Sequence, residues 1–484
     1  MFKGHDNSVF ANTIWKFLER FFAQLVSLIV SIVLARILMP NDYGVVSIIL
    51  VFITIANVFV TSGIATALIQ KKDADELDFS TVLFFNLVSS VILYAILFIL
   101  APFIAGVYEE PLLDPLLKIL SLKLIFAGFN SVQQAYVSRK MMFRKFFWAT
   151  FIGTVVSGIA GIVCAIKGFG AWALAIQYLT NTVIDVIILQ FSIDWKPSIR
   201  FSFRRFKSLW KFGWKVLFEG LSSTITVQLR SLIIGKVYTK SDLAYYSKAE
   251  TFPSLIVNTI SSSISPVLLS SMSKVQDNED EGERLLRTAV SVSSFLIFPI
   301  LIGLFAIADN FIVVLLTEKW ADSAIYLRLF CITGLITVIL IPSHQSLQSR
   351  GKSGVFMVEH MFARLCGLIL LFIVYKESVL HVAITGLVTS LIIFITVIFT
   401  NKFYNHYSIK KQFIDIVPAL FASIIMGVAV YFLNYLRINH ILLLIIQVFS
   451  GAFIYVVLSH IIKPTGYKYI KKIIMSFFKR RKEQ

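Results

Sequence analysis

The chain has 484 residues, 57% of them hydrophobic and only 15% charged, and its formal net charge is +18. Soluble chains carry roughly 25% charged residues, so a soluble globular fold is excluded, and the mean hydropathy of +0.81 agrees. The three cysteines, Cys164, Cys331 and Cys366, lie inside apolar runs and form no C-x-x-C; they supply neither a disulfide framework nor a metal motif.

Apolar runs of about 20 residues, long enough to cross the hydrocarbon layer as a helix, recur from end to end. Fourteen spans are predicted, at 12–35, 44–69, 80–104, 116–137, 146–166, 171–193, 212–235, 252–272, 287–308, 323–345, 354–375, 379–400, 413–434 and 440–462. The fourth, seventh and eighth are rich in polar residues. No small-x-small site follows the first run, which is therefore read as a retained span. Barrel-type strand patterns are absent and helices are the remaining way to cross a bilayer. The predicted fold is an all-α polytopic membrane protein with about 14 transmembrane helices.

Orientation follows from Lys and Arg placement. With the N-terminus inside, the inner segments hold 29 basic residues and the outer segments 8. Both termini are predicted cytoplasmic, and this bias explains most of the net charge, so no nucleic-acid partner is expected. The stretch "WKPSIRFSFRRFKSLWK" has the basic-aromatic interleaving of single-strand binders. Between two spans it is read instead as an interfacial linker on anionic headgroups. The tail "KYIKKIIMSFFKRRKEQ" alternates basic and apolar residues at helical spacing, as a surface-lying helix does.

A shift of 200 residues aligns the first span with the seventh: Glu19 meets Glu219, Arg36 meets Lys236, Asp42 meets Asp242 and Ser47 meets Ser247. A shift of 211 pairs Gln134 with Gln345, Ser138 with Ser349 and Arg139 with Arg350. An even six spans per copy makes this a parallel repeat. The predicted organisation is an N-terminal lobe over 1–193, a basic cytoplasmic linker over 194–211, a C-terminal lobe over 212–400, two further spans over 401–462 and a basic cytoplasmic tail over 463–484. Two like six-helix lobes around a central cavity can expose it alternately to each side, which favours a transporter.

The first span opens with charges. At 100° per residue, Lys16, Arg20, Gln24, Ser27 and Ser31 fall within roughly 80° of one another, with Glu19 and Asn12 beside them. Lys215, Glu219, Ser222, Thr226 and Arg230 repeat the stripe in the seventh span. A charge at mid-membrane costs several kcal/mol, so such stripes face a wet cavity or another helix. Snorkelling is the competing account for Lys16 and Lys215, and escape to the outer surface for Arg230. Lesser polar lines are Lys123, Asn130 and Gln134 in the fourth span, and Gln177, Asn181 and Asp185 in the sixth. The eighth has Asn258, Ser261, Ser262 and Ser265; hydroxyls at this spacing also serve as helix–helix glue. Asp185 is the deepest acid of the N-terminal half. In the eleventh span Glu359 adjoins His360, and Arg364 lies one turn on; His360 alone reads as a packing residue.

The inward-facing charges are Lys16, Arg20, Lys123, Lys215, Arg230 and Arg364 against Glu19, Asp185, Glu219 and Glu359. The basic excess, with Gln24, suits a phosphate or pyrophosphate; a site for cationic drugs would lean acidic and aromatic. The acids are assigned to ion coupling or charge balance. Catalytic motifs are missing: "RGKSG" has Ser346 where a phosphate-binding loop needs its first glycine, and there is no H-E-x-x-H or G-x-S-x-G. No enzyme activity, metal or cofactor is predicted.

Several stretches together carry a family likeness: "LARILMPNDYG", "ALIQKKD", "GFGAWALAIQ", "WKPSIRFS", "LLSSMSKVQ" and "FPILIGLFAIADNFIVVLLTEKW". Over roughly residues 10–340 the chain resembles the polysaccharide transporter family, the Wzx-type flippases of the multidrug/oligosaccharidyl-lipid/polysaccharide superfamily. The resemblance implies a bacterial inner-membrane flippase that moves undecaprenyl-pyrophosphate-linked oligosaccharide by alternating access. It implies membrane lipids and glycan polymerase or assembly proteins as partners. Members often place Asp four residues before "IG" in the seventh span; here Arg230 precedes Ile234-Gly235, so any role of that acid does not carry over. A drug/cation antiporter of the same superfamily and a non-transporting scaffold of a glycan assembly complex are the alternatives.

Overall fold

The computed structural model describes residues 24–482 apart from 62, 72, 199, 276, 277 and 437. The described residues hold helices and no strand, and 88% of them are helical. Apolar runs in lipid must satisfy their own backbone groups, and the helix does so within each segment. In chain order the helices of the first part are α1 (Gln24–Ile37), α2 (Pro40–Thr61), α3 (Ile64–Gln70), α4 (Glu76–Tyr108), α5 (Leu113–Leu120), α6 (Lys123–Lys140), α7 (Phe143–Ile166), α8 (Ala171–Ser192) and α9 (Phe203–Val237). They are followed by α10 (Lys240–Lys274), α11 (Glu279–Ala306), α12 (Ala308–Leu316), α13 (Ser323–Ser349), α14 (Ser353–Val374), α15 (Val379–Tyr404), α16 (Ile409–Phe432), α17 (His440–Ile462) and α18 (Thr465–Lys482).

Among the described residues, 11 helical segments are long and apolar enough to cross a membrane, and the protein is a multi-pass membrane protein. Of the fourteen expected spans, the first half of the first, 12–23, lies outside the described residues, and its second half is α1. The seventh and eighth are α9 and α10, each 35 residues and so about 52 Å long at 1.5 Å per residue. Their length exceeds the ~30 Å hydrocarbon layer; their polar content sets them apart from the other eleven.

Three local departures have physical causes. The second span breaks into α2 and α3 at Gly63, whose φ of 84° belongs to the left-handed region. The fourth breaks into α5 and α6 at Ser121, whose hydroxyl bonds back to Leu117 O. The linker is not all loop: from Phe203 it is already the first turns of α9. Phe203, Phe206 and Trp210 sit three and four apart, and Phe206 stacks on Trp210 with ring centres 5.7 Å apart.

The chain forms two compact units, Met1–Ala244 and Tyr245–Gln484. In the first, α7 lies along α8, α4 packs on α5 and α6, and α9 packs on α2 and α3. Its core at one end joins Leu68, Phe79, Leu83, Val132 and Leu189 to Trp195 and Leu209 of the linker region. Asp78, fully buried, locks this end. Lys71 Nζ donates to its two oxygens at 2.7 and 2.6 Å, and Arg205 stands 3.6 Å away. Asp75 and Asp78 close a capping box at the start of α4; the Asp78 backbone N–H, foremost, holds the Asp75 carboxyl below its usual range.

In the second unit α11 packs on α16 and α13, α15 on α13 and α14, α17 on α16, and α18 crosses α11. The lock here is Asp415 of α16, bonded by Arg287 of α11 from Nε at 2.7 Å and Nη2 at 3.1 Å, and by the Tyr407 hydroxyl at 2.9 Å. Burial, then Asp415, pushes the Tyr407 phenol up.

Local geometry repeats where the sequence does. Asp42 Oδ2 accepts from the Met39 backbone N–H at 3.0 Å, and Asp242 Oδ2 from that of Thr239 at 3.1 Å, each at the start of the following helix. Arg139, at the end of α6, donates to the Leu68, Ile69 and Lys71 carbonyl oxygens at the end of α3. Arg350, just after α13, donates to Tyr404 O at the end of α15 at 3.0 Å. In both halves the guanidinium satisfies helix-terminal carbonyls, which lack an intrahelical partner.

Candidate functional site

Lys16, Glu19 and Arg20 lie outside the described residues. Gln24, half-buried, is on α1. On α9, Lys215 and Glu219 are one turn apart and exposed, whereas Arg230 is buried with 8% exposure. Eleven residues of helix, about 16 Å, separate Arg230 from Glu219, so the predicted stripe is spread along α9 rather than converging on one point.

The structure brings Lys123 and Asp185 into one neighbourhood. Lys123, at the start of α6, carries its ammonium 5.4 Å from the centre of the Tyr178 ring on α8, within range of a cation–π contact. Asp185, two turns further along α8, acts on the same ammonium electrostatically. Asp185 fits because residue 153 on α7 is glycine: a Cβ there would lie 2.1 Å from Asp185 Oδ1. Asn181 Nδ2 donates to Ser157 Oγ of α7 at 3.4 Å, and Gln177 lies against Gly161. The sixth-span polar line thus packs on α7, as helix–helix glue does. Gly153→Ala is expected to displace Asp185 and to destabilise by about 1–3 kcal/mol, the usual cost of overpacking. Thermal unfolding of the purified variant checks this, and an unchanged midpoint contradicts it.

In the second unit Glu359 is buried in α14 and bonds the Thr400 hydroxyl of α15. Its other oxygen is 4.0 Å from Nε2 of His344 on α13. The His344 ring centre is 5.0 Å from that of His360 and 4.6 Å from that of Phe356. Arg364, half-buried, lies one turn beyond His360. Sequence reading singled out Glu359, His360 and Arg364 but missed His344, Thr400 and the adjoining amide network. In that network Asn401 donates to Ser343 Oγ at 3.0 Å, Asn405 to Asn401 Oδ1 at 2.9 Å and Ser346 to Asn405 Oδ1 at 2.8 Å. The signal was available as polar residues on neighbouring turns of two apolar helices. Among the described residues no group of three or more His, Cys, Asp or Glu is placed to hold a metal.

The described residues are all-helical, and their fold is that of known membrane transporters. It superposes on the lipid II flippase MurJ in an inward closed conformation with a TM-score of 0.75, covering 93% of this chain and 98% of that one at 18% identity. An inward-facing multidrug resistance MATE transporter of the MOP superfamily gives 0.60 over 86% of this chain and 98% of that one, at 14% identity. The chain belongs to the family described as Polysaccharide biosynthesis protein, which matches residues 33–325, a family of transporters rather than enzymes.

Its relatives include the lipopolysaccharide biosynthesis protein WzxC of Escherichia coli (strain K12), 24% identical over 68% of each chain. The succinoglycan biosynthesis transport protein ExoT of Rhizobium meliloti is 25% identical over 63% of this chain and 62% of its own. The teichuronic acid biosynthesis protein TuaB of Bacillus subtilis is 24% identical over 78% of each.

Proposed function

We propose that the protein is a flippase that carries an undecaprenyl-pyrophosphate-linked oligosaccharide across the bacterial inner membrane by alternating access. The observation that carries this reading is the family match over residues 33–325, with relatives named for the biosynthesis of three different polysaccharides. In this reading the sugars cross in a polar cavity while the prenyl tail stays in lipid. Lys16, Arg20, Gln24, Lys123, Lys215, Arg230 and Arg364 engage the pyrophosphate at successive stages. Glu19, Asp185, Glu219 and Glu359 balance their charge when no anion is bound, because an unpaired charge inside a membrane is costly.

The basic-residue bias supports cytoplasmic termini and a cytoplasmic 194–211 linker. A cysteine placed at Lys207 should react with a membrane-impermeant thiol reagent only after the membrane is opened. Labelling of intact cells from outside is the contrary result.

The likeness to a multidrug MATE transporter makes a drug/cation antiporter the second reading. Native mass spectrometry of the protein extracted in its own lipid separates the two. A copurified prenyl pyrophosphate glycan supports the flippase. Its absence together with cation-driven dye efflux supports the antiporter, and absence of both supports a scaffold for glycan assembly partners.

A further inference from the structure

Three ionisable side chains meet within about two turns of the ends of α13, α14 and α15. These are the ends that the basic-residue count assigns to the cytoplasm, next to Arg350, Lys352 and Lys402. Glu359 is 6% exposed and His344 9%. Glu359 Oε2, His344 Nε2 and His360 Nε2 are buried and have no hydrogen-bond partner among the described residues. Apolar side chains would pack these helices without leaving such groups unsatisfied. Ionisable residues retained inside a membrane protein mark ion or proton routes more often than they mark packing.

The hydrogen bonds define two states of the carboxyl. The Thr400 hydroxyl contacts both Glu359 Oε1 and, at 3.0 Å, the Thr396 carbonyl oxygen. A hydroxyl has one proton to give. When it donates to the carbonyl, Glu359 must be the donor in the other bond, and only the protonated acid can be. When Glu359 is ionised, the hydroxyl turns to donate to it. The second carboxyl oxygen, 4.0 Å from His344 Nε2, then faces an imidazole able to take the proton and pair with the carboxylate. Among the described residues, α13 brings His344 to the carboxyl, and α14 adds His360 and Arg364. No titratable group of α15 faces it: Lys402 is exposed, with its ammonium over the Phe403 ring at 5.7 Å.

We propose that Glu359, Thr400 and the His344–His360 pair form a proton-binding site that couples pH to transport. One proton is held on a Glu359 oxygen, passes to His344 Nε2 to leave a carboxylate–imidazolium pair, and leaves from there to water. The proposal rests on the transport reading for its role, whereas the site itself is testable without substrate.

The first experiment is pH-difference infrared spectroscopy of the full-length protein in lipid nanodiscs, between about pH 4 and pH 8, a range wide enough to take in a buried carboxylic acid. A protonated-carboxyl band that titrates should be lost in Glu359→Gln, kept in Thr400→Ser and shifted in frequency in Thr400→Val. A titrating band that survives unchanged in Glu359→Gln, or no titrating band in the wild type, overturns the site.

The second experiment follows translocation of labelled lipid-linked oligosaccharide in vesicles over the same range. The wild-type rate should change by up to about tenfold per pH unit, the limit for one proton, and Glu359→Gln should be flat. A wild-type profile shared by Glu359→Gln overturns the coupling. A wild type that translocates nothing at any pH overturns the flippase reading alone, and the infrared result then decides the site.

Discussion

Asp415→Ala is expected to lower stability by about 3 kcal/mol, the lower end of the range for breaking a buried ion pair. The Asp415 side chain is fully buried and receives two bonds from Arg287 and one from the Tyr407 hydroxyl. Its removal leaves a guanidinium and a buried phenol without their acceptor. The lower end applies because Arg287 keeps 33% of its side chain exposed and can be hydrated. For a domain of this size the loss corresponds to roughly 6–12 °C in Tm. Fluorescence-detected size exclusion after heating measures it, and Asp415→Asn should lie between the two. A Tm equal to wild type would show that α16 is held to α11 by apolar packing alone.

The second large effect concerns cargo binding. Arg20→Ala should abolish export at normal protein levels, and Arg20→Lys should restore only part of it, since a lysine cannot grip two phosphate oxygens at once. Lys123→Met keeps the apolar stem over Tyr178 while deleting the charge. A charged hydrogen bond to phosphate is worth about 1.5–3 kcal/mol, so export should fall by about ten- to a hundredfold. Complementation of an export-deficient strain, normalised to protein in the membrane, reads both. Normal export by Arg20→Ala would reduce the charges at the head of the first span to anchors.

Hydrophobic run length alone placed the long helices, because a ~20-residue apolar segment in lipid has one structural outcome. The sequence match of Asp42 with Asp242 has a local counterpart, since both positions do the same work, accepting from the backbone N–H three residues before. The breaks at Gly63 and Ser121 were hidden, since a single small residue inside an apolar run leaves the hydropathy unchanged. Asp78 and Asp415 were also hidden, for a different reason. Arg287 lies over a hundred residues from Asp415, and Asp78 is held by Lys71 seven residues before it and by distant Arg205; neither arrangement is marked by a periodicity in the sequence.

The candidate site was half legible. Glu359, His360 and Arg364 share one helix and could be read as a group. His344 and Thr400 join them only through the packing of α13 and α15 on α14. The basic stripe of α9 was visible as a periodicity, but its spread over about 16 Å between Glu219 and Arg230 is a matter of geometry that the charge census did not express.

The most direct test of the central claim is translocation itself. The purified full-length protein is reconstituted into vesicles carrying a fluorescently labelled undecaprenyl-pyrophosphate oligosaccharide, and the label in the outer leaflet is followed with a membrane-impermeant quencher or glycan-cleaving enzyme. The flippase account predicts that label in the inner leaflet becomes accessible over time with wild-type protein and not with Arg20→Ala. Label that stays protected at the rate of protein-free vesicles would contradict it.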